Sequence, residues 1–407
     1  MKERLPPAIF DLPVHELRRG YRSDVYFWRE KIILEKDNHY PKVIMQVFQK
    51  EDAILCGIDE AIAILKVAAG YYTDPVKGYK LFDQLIDIKK EIRLNSLNSE
   101  NYNKYLELIK IKLDIQNELD NLWISSFNEL KVKALYDGEK IKSFENVMTV
   151  EGIAGYFAHL ETVYLGVLAR RTRIATNVYN TVRAAGVKPV LFFPARFDHF
   201  STQGGDGYAA KMGGTTSVST DSQAEWWGAK GIGTIPHSLI AVYNGNTVLA
   251  TKKFAEIYPE LNLISLVDYE NDCVKVSLEV AKELGKRLYG VRLDTSGTMV
   301  DKSVIPQMGQ FPPTGVTPQL VCNVRNALDE HGFGWVKIIV SGGFNPEKIR
   351  FFEEEKIPVD AYGVGSYLFA GAGGKFDFTA DIVINNNKHC AKEGRRYREN
   401  ERLEVVI

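Results

Sequence analysis

Hydrophobic and polar residues change their spacing along the chain, and the changes separate three stretches. Up to about residue 75 the pattern is mixed: the apolar run at 42–49 predicts a strand, and 58–69 predicts a helix. From 76 to about 130 the chain is rich in Lys, Glu, Leu and Ile, and apolar residues recur at helical spacing. The first stripe is Leu81, Leu85, Ile88 and Ile92, and a second begins at Leu106, Ile109 and Leu113. We predict a helical hairpin whose charged face is solvated, with a partner-binding face as the alternative.

From residue 151 onward, short β-rich runs that end in Gly or acidic residues alternate with longer helical patterns. The runs lie at 189–193, 232–235, 263–268, 288–294, 335–341 and 359–364. Strands that alternate with helices predict βαβ units and a parallel sheet. The number of units favours an irregular (β/α) barrel over an open sheet, and the sequence leaves both possible.

The predicted fold class is therefore α/β, with three divisions. Residues 1–150 form an N-terminal α/β sandwich that contains the hairpin at about 76–130. Residues 151–370 form the barrel, and residues 371–407 return to the N-terminal domain.

Composition and charge describe an ordinary globular protein. Lys and Arg total 51 and Asp and Glu total 52 among 407 residues, which excludes a whole-protein footprint for nucleic acid or an anionic membrane. The apolar runs are too short to span a bilayer, and the N-terminus lacks a secretory pattern. The four cysteines are far apart and form no CxxC pair. We expect a cytoplasmic protein with no nucleic-acid or membrane partner.

Two glycine-rich loops follow the last two predicted strands. The first contains Ser341, Gly342 and Gly343 and leads into an Asn-Pro-Glu helix start; the second contains Gly363, Gly365 and Ser366. Glycine lets backbone N–H groups approach an anion, and a helix N-terminus favours negative charge. In (β/α) barrels a phosphate site often lies between the last two strands, so the pair predicts a phosphate-ester site.

Charged residues at two other strand ends suit the rest of such a ligand. Arg292 and Asp294 alternate by two and therefore share a face, and Asp268 ends the preceding run. Arg meets phosphate, and carboxylates bind sugar hydroxyls or Mg²⁺ that is held mainly by pyrophosphate. A buried structural ion pair is the alternative for Arg292 and Asp294.

Two further strand ends carry His237 and the pair Phe193 and Arg196. A lone histidine at a strand-to-helix junction is either structural or functional, and the pattern does not decide between them. A flat ring beside a cation suits a planar carboxylate ligand, held by stacking and ion pairing.

The order of these motifs resembles the nicotinate phosphoribosyltransferase family, which are type II phosphoribosyltransferases. The matching segments span most of the chain outside the hairpin. They are Thr149-Val150-Glu151-Gly152, Leu160-Glu161-Thr162, Phe193-x-x-Arg196, Gly214-Thr215-Thr216, Gly233-Thr234-x-x-His237-Ser238, Arg292-Leu293-Asp294-x-Ser296-Gly297, Ser341-Gly342-Gly343 and Gly363-Val364-Gly365.

The resemblance implies a dimer with shared active sites that transfers phosphoribose from phosphoribosyl pyrophosphate (PRPP) to nicotinate with Mg²⁺. It also implies ATP hydrolysis through a phosphohistidine at His237. Phe193 would stack on the pyridine ring beside Arg196, and Tyr26 would cover the other face from the neighbouring subunit. Asp268, Arg292 and Asp294 match the ribose and pyrophosphate positions, and the two glycine-rich loops match the 5′-phosphate site.

The substituent on the pyridine ring is predicted from the segment that contains Thr215 and Thr216. Related nicotinamide enzymes carry an Asp there, which accepts a hydrogen bond from the amide. This chain has no carboxylate in that segment, so we expect the acid as substrate.

Other activities remain as alternatives. These are nicotinamide phosphoribosyltransfer, a non-catalytic PRPP or nucleotide sensor, and a sugar-phosphate lyase or aldolase. The last needs a lysine at a strand end, whereas Lys337 lies early in its run.

Overall fold

The computed structural model describes residues 3–96, 101–371 and 373–406. Its contacts divide the chain into two compact units: residues 1–172 with 376–407, and residues 173–375. The helices are α1 Val14–Arg18, α2 Val25–Lys36, α3 Ile58–Ala68, α4 Pro75–Asn95, α5 Tyr102–Leu122, α6 Ala154–Phe157, α7 Glu161–Ala185, α8 Gln203–Met212, α9 Asp221–Ala224, α10 His237–Val242, α11 Thr247–Ile257, α12 Cys273–Leu284, α13 Pro318–Glu330, α14 Pro346–Glu354 and α15 Tyr367–Ala370. The strands are β1 Lys42–Gln49, β2 Ala53–Ile54, β3 Gly70–Tyr72, β4 Trp123–Ser125, β5 Lys131–Ala134, β6 Lys140–Ile141, β7 Asn146–Ile153, β8 Val190–Phe192, β9 Ser217–Val218, β10 Leu263–Leu266, β11 Leu288–Leu293, β12 Lys337–Val340, β13 Ala361–Val364, β14 Phe378–Asn385, β15 Lys388–His389 and β16 Glu404–Val405.

The first unit is built on a six-stranded sheet in the order β15-β14-β1-β7-β5-β16. The predicted strand at 42–49 is β1, and it pairs antiparallel with β14 on one side and β7 on the other. Burial is continuous from Met45 onward, because both faces of the strand are covered. On the face of Gln46, the strand hydrogen-bonds through that side chain to the backbone of residues 395–398. Its apolar residues pack with those of α3 and the first half of α7 in one core.

The predicted hairpin is present as α4 and α5. The first predicted stripe, on α4, faces inward. The prediction of the second stripe, on α5, is wrong, because a different set of apolar residues is buried there. Leu106 and Leu113 are exposed, and the buried residues of α5 are Leu108, Ile115 and Leu119. Helix α5 carries two apolar stripes, and spacing alone does not choose between them. The pairing of β4 with β3 fixes which stripe is buried. It places Trp123, at the end of α5, in the hairpin core.

The second unit contains a parallel sheet in the order β10-β11-β12-β13-β8-β9. It curls as a half-barrel with β10 and β9 at its edges, so the expected mixed α/β class is confirmed and the hydrogen-bonded sheet is open. The pairs Leu266 with Arg292, Leu293 with Val340, and Val364 with Phe192 lie in register. The carboxyl ends of the strands therefore meet at one edge.

The predicted strand at 232–235 is wrong. The segment after Gly231 is a loop that makes one backbone bond from Ile232 N to Val218 O, and the sixth strand is β9 instead. Gly231 forms one isolated parallel bridge with Val218, and no regular strand continues from it over 232–235. Among the described helices, none combines the length and the apolar character needed to cross a membrane.

Candidate active site

A cavity of about 710 Å³ opens at the carboxyl ends of the parallel strands, within the second unit. Its lining gathers residues from six separate segments of sequence. They are Phe193, Ala195, Arg196, Phe197, Ser219, Ile232, Gly233, Thr234, Pro236, His237, Ser238, Arg292, Asp294, Ser341, Gly342, Gly343, Phe344, Gly363, Gly365 and Ser366. Most of the residues singled out from the sequence thus line one space.

His237 is the first residue of α10, and Asp268 follows β10. The Nε2 atom of His237 lies 3.1 Å from Oδ1 and 3.2 Å from Oδ2 of Asp268. The imidazole is half exposed, whereas the carboxylate is buried. Burial raises the pKa of Asp268 above its ordinary value; the imidazole opposes that rise, and the nearby Asp294 carboxylate adds to it. The pair can hold one proton between the two side chains.

Arg292 and Asp294 leave β11 on one face, as the alternation predicts. The Nη2 atom of Arg292 is 3.9 Å from Oδ2 of Asp294. Burial lowers the pKa of the Arg292 guanidinium, and Arg196 lowers it further, since two cations converge on the cavity. The Nε atom of Arg292 is buried and has no hydrogen-bond partner among the described residues. A guanidinium with an unused buried donor is suited to an anionic ligand.

The two glycine-rich loops line the same cavity as His237. Gly342 and Gly343 adopt backbone φ angles of +84° and +73°, which residues other than glycine rarely adopt. The loop leads into α14, where Asn345 caps the helix by accepting a hydrogen bond from Lys348 N, as the sequence predicts. Gly363 of the second predicted loop lies within β13, where a Cβ would lie 3.1 Å from the ring of Phe193, so glycine there leaves room for the ring.

Phe193 directly follows β8, and its N–H donates to Val364 O at 2.9 Å. Arg196 and Phe197 follow on a short 3-10 turn, and the Arg196 guanidinium lies 5.5 Å from the Phe197 ring centroid. The cavity wall therefore offers two aromatic rings and an exposed cation to a planar anion.

Four predicted residues do not line the cavity, and Asp268 is one of them, although it contacts the lining residue His237. The Thr215 hydroxyl donates to Val190 O at 2.6 Å, which joins the start of β8 to the segment before β9. Thr216 is exposed outside the cavity lining. Tyr26 belongs to the first unit, where it is exposed and its hydroxyl donates to Asp24.

Sequence reasoning missed several lining residues, among them Phe197, Ser219 and Phe344. Phe197 and Phe344 each adjoin a predicted motif, so a wider window around Arg196 and Gly343 would have included them. Ser219 gave no signal, because it lies after a strand too short to recognise.

No protein-family model matches the chain. Curated relatives include the nicotinate phosphoribosyltransferase of Bacillus subtilis, 26% identical over 239 residues, which are 58% of this chain and 45% of that protein. Another is a nicotinate phosphoribosyltransferase of Mycobacterium tuberculosis, 28% identical over 219 residues, which are 51% of this chain and 42% of that protein. The chain spans about half the length of the curated relatives it matches.

Solved structures extend the similarity over nearly the whole chain. The nicotinate-nucleotide pyrophosphorylase of Pyrococcus furiosus is 29% identical with a TM-score of 0.69, over 96% of this chain and 84% of that one. Human nicotinic acid phosphoribosyltransferase shares the fold, with a TM-score of 0.61 at 16% identity over 90% of this chain and 75% of that one.

Proposed function

We propose that this chain, a homologue of nicotinate phosphoribosyltransferases, transfers the 5-phosphoribosyl group of PRPP to the ring nitrogen of nicotinate. The products are nicotinate mononucleotide and pyrophosphate, and the role lies in NAD biosynthesis. One observation carries the proposal: Phe193, His237, Arg292, Asp294 and both glycine-rich loops line a single cavity.

Different residues of the cavity lining bind different parts of the two substrates. The loops at 341–343 and 363–366 take the 5′-phosphate, since their glycines expose backbone N–H groups. Arg292, whose side chain lines the cavity, takes the pyrophosphate. Phe193 stacks on the pyridine ring and Arg196 pairs with its carboxylate.

In the reaction, the bond from ribose C1 to the pyrophosphate oxygen breaks, and the bond from C1 to the pyridine nitrogen forms. The ring nitrogen carries no proton at neutral pH, so no general base is needed and positioning supplies much of the rate. Positive charge develops on the sugar in the transition state. The Asp294 carboxylate faces the cavity and stabilises that charge electrostatically.

Mg²⁺ is proposed as a partner of the substrate rather than a resident of the protein. The described residues hold no group of three or more His, Cys, Asp or Glu side chains suited to a metal. Asp268 contacts His237 and one oxygen of Asp294 contacts Ser341, so few carboxylate oxygens remain free. This set fits an ion bound mainly by pyrophosphate, where Mg²⁺ would neutralise charge on the leaving group.

ATP coupling through His237 is proposed as well. Because Nε2 faces Asp268, Nδ1 is the nitrogen left to attack the γ-phosphorus of ATP. The N–P bond forms as the bond to ADP breaks, and the Nε2 proton stays hydrogen-bonded to Asp268. If His237→Ala responded to ATP as the wild type does, this role would be wrong.

The dimer with shared sites remains a proposal, in which Tyr26 of the partner subunit covers the pyridine ring. Phe197 lines the cavity and is an exposed aromatic residue, which suits such cover. Mixing Tyr26→Ala with His237→Ala protein tests it. Half of the randomly paired dimers are mixed, and a mixed dimer with shared sites has one intact site of two, so ATP-stimulated turnover of the mixture recovers to about a quarter of the wild-type value. We also expect a cytoplasmic location, because all four cysteines are free thiols.

The substrate assay compares nicotinate, nicotinamide and quinolinate, each with PRPP, by nucleotide formation and pyrophosphate release. We expect nicotinate to give the highest kcat/KM. Nicotinamide lacks the charge that Arg196 recognises, and quinolinate brings a second carboxylate to a lining whose only cations are Arg196, Arg292 and, if protonated, His237, among the described residues. An aldolase is disfavoured, because Lys337 pairs with Asp360 at 2.9 Å at the start of β12.

A further inference from the structure

Ser341 stands at the end of β12 and is almost fully buried. The sequence assigns it to the phosphate loop, where a hydroxyl donor would meet a phosphate oxygen. Its backbone N–H donates to Leu293 O at 2.9 Å. Its Oγ lies 2.7 Å from Oδ1 of Asp294 and 3.3 Å from Leu293 O.

A serine hydroxyl has one proton and therefore donates one full hydrogen bond. The contact with the Asp294 carboxylate is the shorter, and a charged acceptor makes it the stronger. Both donors of Ser341 are thus engaged within the protein. What remains on Oγ is lone pairs, and these repel a phosphate oxygen.

The surroundings hold this arrangement in place. A Cβ on Gly342 would lie 3.5 Å from Oδ1 of Asp294, and a Cβ on Gly363 would lie 3.2 Å from Cβ of Ser341. Oδ1 is therefore enclosed by the serine and the glycine loop. Oδ2 is the oxygen that lies 3.9 Å from the Arg292 guanidinium.

We infer that Ser341 is a positioning residue, which fixes the rotation of the Asp294 carboxylate and keeps Oδ2 directed toward Arg292 and the cavity. This inference rests on the proposed function for the substrate that Asp294 meets. It removes the Ser341 side chain from the phosphate contacts and leaves those contacts to the loop backbone.

The test is a double-mutant cycle on kcat and on KM for PRPP, with Ser341→Ala, Asp294→Asn and the double variant. A hydrogen bond to a charged group suggests that Ser341→Ala lowers kcat about tenfold, while KM for PRPP changes less than about threefold. In the Asp294→Asn background the same change has no more than about a twofold effect on kcat, because the carboxylate is already gone.

A phosphate-contact role gives a different result. In that case Ser341→Ala raises KM for PRPP, leaves kcat unchanged, and has the same effect in the Asp294→Asn background. That outcome overturns the inference.

A crystal structure of Ser341→Ala separates this inference from the proposed function. We expect the Asp294 carboxylate to rotate away from its wild-type position. If it stays within about 0.5 Å, Ser341 does not position it, whatever the activity assay shows. If the wild type makes no nucleotide from any of the three pyridines, the proposed function fails, and the crystal structure still decides the role of Ser341.

Discussion

One imidazole nitrogen of His237 contacts both carboxylate oxygens of Asp268, at 3.1 and 3.2 Å. The carboxylate is buried and the imidazole half exposed, so the aspartate orients a ring whose other side is open to the cavity. The contact joins the end of β10 to the start of α10. The two residues are 31 positions apart in the sequence.

Replacing Asp268 by Asn tests the dependence of His237 on this carboxylate. The amide keeps the size of the side chain and removes the charge that stabilises a protonated imidazole. We expect the stimulation of turnover by ATP to fall at least about tenfold, the scale of a lost hydrogen bond to a charged group. Steady-state rates with and without ATP give the measurement.

Asp272→Asn is the matched control, because Asp272 lies on the same loop and caps α12 through Lys275 N. Asparagine caps a helix as well as aspartate does. Equal loss of ATP stimulation in both variants would argue against a specific role for Asp268.

The room for the Phe193 ring depends on Gly363. In Gly363→Ala the added methyl lies 3.1 Å from two carbons of that ring, and the ring must move. The methyl also lies 3.2 Å from Cβ of Ser341. A displaced ring stacks less well on nicotinate, and a loss of about 1 kcal/mol of stacking corresponds to a rise in KM of about fivefold. Steady-state kinetics at saturating PRPP measures this change.

Gly233→Ala serves as the comparison, since it lines the same cavity and its Cβ meets nothing within 4 Å. We expect its KM for nicotinate to stay within about twofold of wild type, as surface substitutions usually have small effects. Similar KM values for the two variants would show that the ring does not limit binding.

The pH dependence of stability includes a contribution from Glu161 in the first unit. Burial, and then the carboxylates of Glu30, Asp381 and Asp24, raise its pKa from 4.5 to about 8. The folded state therefore binds more protons than the unfolded state between these values. The contribution of Glu161 to stability is intact below pH 4.5 and is lost as the pH rises through about 8.

Glu161→Gln removes that titration. We expect the variant to gain stability relative to the wild type as the pH rises from about 5 to 9, measured by urea unfolding. The exposed Glu91→Gln variant is the control for the loss of a carboxylate from the surface. A Glu161→Gln difference that does not change with pH would contradict the raised pKa of Glu161.

The buried face of α5 predicts unequal effects of two leucines. Leu119 is fully buried against the hairpin core, whereas Leu113 is half exposed. Leu119→Ala should lower the free energy of unfolding by about 2–5 kcal/mol. Leu113→Ala should change it by about 0.5 kcal/mol or less. Denaturant unfolding of both variants decides the question, and a reversed order would place the other stripe inward.

Much of the second unit could be predicted from local pattern. The runs at 263–268, 288–294, 335–341 and 359–364 each contain an observed strand, because apolar residues next to Gly or acidic residues mark a buried strand and its end. The run at 232–235 has the same composition and forms a loop. The chain makes a single bridge there, from Gly231 to Val218, and such a tertiary contact is not contained in a local pattern.

The sequence by itself determined which residue types stand at the strand ends. Those residue types indicate a planar, anionic ligand. Only the tertiary structure decided the partners: Ser341 with Asp294, His237 with Asp268, and Thr215 with the backbone of β8. Helical and strand periods are local properties of a chain, whereas a hydrogen bond across 47 residues depends on how the strands are arranged in register. Tertiary contacts also decide which of the two apolar stripes of α5 is buried. That stripe faces the hairpin core, next to the point where α5 joins β4.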